Sequence, residues 1–123
     1  MDAYAWIEYL DGSSRGTKVR DILESPQNSI ITSTITLAEL VSKYIRNRRD
    51  PKVVISAVES NSTLQHADPQ LAILAGEVHA EERRHKKDFG LADAFVLATA
   101  RTKSSKVLTG DPHFKDLSEA VMV

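Results

Sequence analysis

A chain of 123 residues, 41% hydrophobic and 27% charged, has room for one domain spanning 1–123 and the composition of a folded one, which argues against a disordered chain. Its 16 basic and 17 acidic residues nearly cancel to a formal net charge of −1, which speaks against a purely phosphate-binding module but suits a site whose acids offset a basic rim. With no cysteine, disulfides, thiolate zinc sites and cysteine nucleophiles are excluded.

No apolar run approaches the ~20 residues that span a bilayer, so no membrane segment is expected. Met1-Asp2-Ala3-Tyr4 lacks the basic stretch of a secretory signal, and a reducing cytoplasm is the expected setting. In chain order, Asp2 can cap a short helix over Ala3–Leu10. Gly12-Ser13-Ser14 reads as a loop whose serines cap a helix running to about Glu24, and Ser25-Pro26-Gln27-Asn28 reads as a turn. The β-branched run Ser29–Thr32 reads as a strand. Leu37, Leu40, Val41, Tyr44 and Ile45 form one apolar face, predicting a helix over Thr36–Arg49 with Thr36 and Glu39 as a capping box. Asp50-Pro51 ends that helix and opens another to about Asn61. Thr63–His66 follows as a strand. Asp68-Pro69 then opens a long helix with Leu71, Leu74, Ala75 and Val78 inward. Gly90 separates it from a helix over Leu91–Lys103. Lys106–Thr109 and Ala120–Val123 read as strands flanking the loop Gly110-Asp111-Pro112. Alternating short strands and helices predict an α/β fold with a parallel sheet, whose ligands bind beyond the carboxyl ends of the strands.

Four acids stand out: Asp2, Glu39, Asp93 and Asp111. Each has an ordinary role open to it, as a helix cap or as an anion at a helix start. Asp93 resists that role most, because Leu91, Ala92 and the run Ala94–Ala98 surround it with apolar residues, where a carboxylate is costly unless paired or metal-bound. Asp111 follows a hydrophobic strand and one glycine. Glu39 lies off the apolar stripe of its helix, facing water or a cleft. Clustered carboxylates suit Mg²⁺ or Mn²⁺, raise one another's pKa while empty, and allow a metal to activate water for attack at phosphorus.

The segments Asp2-Ala-Tyr-Ala-Trp-Ile-Glu, Leu37-Ala-Glu-Leu, Leu91-Ala-Asp-Ala and Leu108-Thr-Gly-Asp, in this order across the whole chain, resemble the four acidic motifs of PIN domains, above all those of VapC-type toxins. The resemblance implies a three-layer α/β fold, a central parallel sheet flanked by helices. It implies an endoribonuclease cutting RNA phosphodiester bonds with Mg²⁺ or Mn²⁺ held by Asp2, Glu39, Asp93 and Asp111, with Thr109 matching a Ser/Thr often found beside the fourth acid. It also implies a VapB-like antitoxin partner in a type II toxin–antitoxin pair, and a homodimer with Trp6, Ile7, Val41 or Tyr44 at its interface. Tyr4 departs from the small polar residue common two positions after the first acid. In the family a hydrophobic strand precedes that acid. Here only Met1 does, so that strand is expected to be missing or supplied by residues outside this numbering, and a charged amino terminus beside Asp2 would compete with a cation.

Other features carry less. Asp116 is a spare acid. The runs Arg46, Arg48, Arg49 and Arg83, Arg84, Lys86, Lys87 are either phosphate contacts or solvated helix ends. His66, His79, His85 and His113 lack metal-ligand spacing and read as surface or structural. Trp6, Ile7 and Leu10 read as core or dimer contacts. The alternative to a nuclease is a PIN-like domain that binds RNA or a partner without cutting, which would be expected to lose one of the acids. A phosphoacceptor domain on a flavodoxin-like sheet needs paired acids that are absent upstream of His66-Ala-Asp68, and an Asp-x-Asp phosphatase does not fit Asp2-Ala3-Tyr4.

Overall fold

The computed structural model describes residues 1–123. In chain order it contains α1 (Ala3–Asp11), α2 (Ser14–Glu24), β1 (Ile31–Ser33), α3 (Thr34–Arg46), α4 (Pro51–Asn61), β2 (Thr63–Gln65), α5 (Pro69–Glu82), α6 (Leu91–Thr102), β3 (Val107–Thr109), a 3₁₀ turn (Pro112–Phe114) and β4 (Ala120–Met122). This is the expected α/β alternation, and most helix starts are where the sequence puts them. Asp2, Ser13, Asp50 and Asp68 each accept a hydrogen bond from a first-turn amide, at Ala5, Gly16, Lys52 and Leu71.

The third helix departs from expectation. Its cap is Ser33, whose side chain accepts from Ile35 N, so α3 starts two residues before Thr36 and stops at Arg46. Thr36 is buried inside the helix and forms no capping box with Glu39. The reason is β1, which the pairing with β2 holds at Ile31–Ser33, slightly later than the β-branched run suggests. Ser33 is therefore the turning point from strand to helix.

Both strand pairs are parallel. Ile31, Thr32 and Ser33 face Thr63, Leu64 and Gln65; Val107, Leu108 and Thr109 face Ala120, Val121 and Met122. The two pairs are not hydrogen-bonded to each other. Only the first two residues bridge them: Met1 N donates to Ile31 O at 2.9 Å and Asp2 N to Leu108 O at 3.2 Å.

Helices cover both faces. On one, α5 and α6 pack together around Phe89, Leu97, Val107 and Phe114. On the other, Ala5 and Val19 pack against Leu108. A further cluster joins Trp6 to Leu40, Tyr44, Val54 and Val58, and Trp6 Nε1 donates to Thr32 Oγ1 at 3.1 Å. Trp6 and Tyr44 are 0% and 2% exposed, so the core reading of Trp6 holds and neither is free to form a dimer interface. The exposed apolar residues of this region are Ile45 and Val53 instead. No helix is long and apolar enough to cross a membrane.

Candidate metal centre

The short strands and the helix starts bring distant acids to one end of the fold. Asp2 is the cap of α1 and is only 4% exposed. Its Oδ1 accepts from Ala5 N at 2.9 Å, and its Oδ2 accepts from the hydroxyl of the fully buried Thr109. Thr109 Oγ1 also accepts from Asp111 N at 2.9 Å. One hydroxyl thus joins the first acid to the last across the sequence. Asp111 in turn caps the 3₁₀ turn, with Oδ1 accepting from His113 N at 2.9 Å. Asp93 lies in the first turn of α6, where its Oδ2 accepts from Gly90 N at 3.0 Å. The capping roles open to Asp2, Asp93 and Asp111 are all realised, and they hold the carboxylates in place rather than competing with a site.

Ligand atoms of Asp93, Asp111 and His113 lie within 4.8 Å of one another. His113 Nδ1 is 3.2 Å from Asp111 Oδ1 and 3.8 Å from Asp93 Oδ2, yet it is buried and makes no hydrogen bond. The spacing of His113 carries no ligand pattern in the sequence. Its place two residues after Asp111 becomes meaningful only because Asp111-Pro112 closes a 3₁₀ turn that folds the ring back.

Glu39 lies on α3, which packs against α6, and keeps access to solvent. Partial burial, together with the negative charges of Asp93, Asp2 and Asp111, raises its pKa to about 7. Burial raises Asp2 to about 6 despite its hydrogen bonds, and burial with Asp111 nearby raises Asp93. The tight group is thus Asp93, Asp111 and His113; Asp2 joins it through Thr109, and Glu39, exposed on α3, is linked to the other acids by charge rather than by contact. Such a cluster is strained by its own charge, and its oxygen donors match a hard divalent cation. The carboxylate oxygens are compatible with Mg²⁺ or Mn²⁺, whereas the unpartnered His113 nitrogen is a ligand type that suits softer divalent ions better.

Around this cluster, Tyr4 lies against Gly110, where an added Cβ would come within 2.2 Å of the ring. That contact fills the place of the small polar residue the motif leads one to expect, and the Tyr4 hydroxyl accepts from Arg15. Asp116 is outside the cluster. It pairs with Lys86 at 2.7 Å, and Lys86 also binds Glu82 and the carbonyl of His113. Of the basic runs, Arg49 is paired with Asp11 at 2.9 Å, while Arg46, Arg48, Arg83, Arg84 and Lys87 are exposed.

The PIN domain family model matches residues 1–120. Among solved structures, a toxin–antitoxin complex from Klebsiella pneumoniae is similar, with 21% identity, a TM-score of 0.72, and coverage of 98% of this chain and 93% of that one. VapC20 of Mycobacterium tuberculosis, described as a sarcin-ricin loop cleaving toxin, is similar at 19% identity and a TM-score of 0.77, covering 99% and 95%. DNA-bound VapBC from Salmonella typhimurium is similar at 21% identity and a TM-score of 0.69, covering 99% and 93%. At these identities the likeness is one of fold. No curated protein sequence matches the chain.

Proposed function

The chain belongs to the PIN domain family, and from that premise we propose that it is a metal-dependent endoribonuclease acting as the toxin of a type II toxin–antitoxin pair. The observation that carries this reading is the group of Asp93, Asp111 and His113 with Asp2 tied to Asp111 through Thr109, three of the four motif acids brought together from distant segments; the upward shift of Glu39, caused by burial and then by the charges of Asp93 and Asp2, is consistent with its lying nearby.

Asp2, Glu39, Asp93 and Asp111 would hold Mg²⁺ or Mn²⁺, with His113 at the edge of the set. A cation so held supplies a polarised phosphoryl oxygen and a more acidic water. The chain's own residues do the positioning. The amides of Ala5 and Gly90 fix the rotamers of Asp2 and Asp93. Thr109 holds Asp2 and the Asp111 backbone at a set separation. Below about pH 6 to 7 Asp2 and Glu39 carry protons that a cation would have to displace, so loading would be coupled to pH. Of the two basic runs, Arg46, Arg48, Arg83 and Lys87 are exposed without an acidic partner and would be open to RNA phosphates, and Lys43 is exposed beside Glu39.

The fold neighbours that are toxin–antitoxin complexes support an antitoxin partner, and its expected place is over the acids. A homodimer would use the outward surface of α3 and α4, where Ile45 and Val53 are exposed, rather than Trp6 or Tyr44. The test is incubation with total RNA and Mg²⁺ or Mn²⁺, followed by sequencing of the new ends. New internal ends that disappear with excess chelator support the nuclease. RNA binding without new ends supports the non-cutting alternative.

A further inference from the structure

The two acids of α1 are both engaged. Glu8 accepts from the hydroxyl of Ser13, and Asp11 pairs with Arg49 at 2.9 Å. Arg15, at the start of α2, is exposed and pairs with neither. Its Nη1 donates instead to the hydroxyl of Tyr4, and its Cζ lies 6.0 Å from the centre of that ring.

The close packing of α1 and α2 brings the two side chains together. Gly16 is buried against α1, where a Cβ would collide with the Glu8 carbonyl, so glycine is what lets the helices approach this closely. Arg15 is thereby laid beside Tyr4. Tyr4 in turn leads to the acids. It lies two residues after Asp2, and its ring rests on Gly110, the residue before Asp111. A guanidinium, a phenol and the Gly110 backbone thus form a continuous rim that ends at the metal centre.

Along that rim the charge changes sign. The acids repel an approaching phosphodiester, whereas Arg15 is a cation held by a neutral acceptor and keeps its full charge toward solvent. An exposed cation on a phenol adds little to stability. What the phenol does is restrain the planar fork without neutralising it, so that less rotamer freedom is lost when an anion docks. We propose that Arg15, held by Tyr4, docks a phosphate of single-stranded RNA next to the one at the acids, and so positions the strand across the cleft. A contact of this kind reads the backbone and carries no sequence information. The inference rests on the nuclease reading above, but its readout is binding rather than cutting.

The experiment follows binding of a fluorescent single-stranded RNA by anisotropy, with Mg²⁺ present, between about 50 and 300 mM salt. Every form carries Asp93→Asn, so that the RNA stays whole. In that background Arg15→Ala should weaken binding about tenfold at the lowest salt. It should also flatten the slope of log K against log salt by about 0.7, the counterion release of one single-strand phosphate contact. Tyr4→Phe keeps the charge and frees the fork, so it should keep the slope and lose about threefold in affinity. Arg20→Ala removes an exposed cation further along α2 and should leave the slope unchanged. The proposal is overturned if Arg15→Ala leaves the slope unchanged, or if Arg20→Ala flattens it as much, which would make the effect one of overall charge. Full affinity in Tyr4→Phe would overturn the part given to Tyr4. A chain that binds no RNA at all sinks the nuclease reading with it, whereas RNA bound with a slope indifferent to Arg15 sinks this inference alone.

Discussion

Thr109 takes part in two hydrogen bonds with one hydroxyl, donating to Asp2 and accepting from the Asp111 amide, and it is fully buried while doing so. Thr109→Val keeps the shape and removes both partners. It should destabilise the fold by about 1–3 kcal/mol, read as a fall in the urea midpoint, and Thr109→Ser should recover most of the loss. The acids themselves give a pH signature. For Asp2 and Glu39 the folded pKa values, about 6 and about 7, lie above the ordinary values of 3.8 and 4.5. A folded state that holds protons more tightly than the unfolded chain loses stability as pH rises through that window. For Asp2 the loss is on the order of 3 kcal/mol. The metal-free protein should therefore be more stable near pH 4.5 than near pH 7 as far as these groups are concerned, with saturating Mg²⁺ abolishing the difference. The buried Met1 ammonium is shifted downward and acts in the opposite sense toward pH 8, so the comparison is best confined to pH 4.5 to 7. A stability curve that rises from pH 4.5 to 7 without metal would contradict the buried-acid account.

At the scale of elements, the loop after β3 is built around a contact. Gly110 admits the Tyr4 ring of α1, and any Cβ there meets that ring. Gly110→Ala should destabilise the chain, while Gly110→Ala combined with Tyr4→Ala should cost less than the sum of the two, with a coupling of about 1 kcal/mol or more in a double-mutant cycle. Additive losses would mean that the ring swings aside freely. The sequence marks helix starts well because a cap is local chemistry: Ser13, Asp50 and Asp68 announce themselves by type and by the residue that follows. It fails at α3 because Ser33 and Thr36 are equally good caps on local grounds, and only pairing with β2 decides between them. His113 was illegible for a related reason. Its approach to Asp93 and Asp111 is made by a turn and by tertiary packing, not by spacing along one helix face. The acids were legible because four motifs in fixed order carry more information than any one of them.

At the scale of the whole molecule, the two ends of the sheet differ in kind. At the carboxyl ends of the strands, caps and one threonine hold a group of acids under mutual repulsion. At the amino ends, an apolar groove separates the strand pairs. Composition indicated one folded domain but could not reveal the groove between the two strand pairs, which only their pairing creates. Nor could it show that Trp6 and Tyr44 would be consumed by the core, leaving Ile45 and Val53 outward. The measurement that bears most directly on the central claim is a comparison of wild type with Asp93→Asn on the same RNA, in Mg²⁺ or Mn²⁺ and in excess chelator, with circular dichroism confirming equal folding. Asp93 lies in the tight Asp93–Asp111–His113 group, and its substitution should reduce the cleavage rate at least about 100-fold, as losing an inner ligand should exceed the loss of an outer-shell partner. Chelator should do the same to wild type. Cleavage by Asp93→Asn at the wild-type rate, or wild-type cleavage undiminished in chelator, would contradict the account.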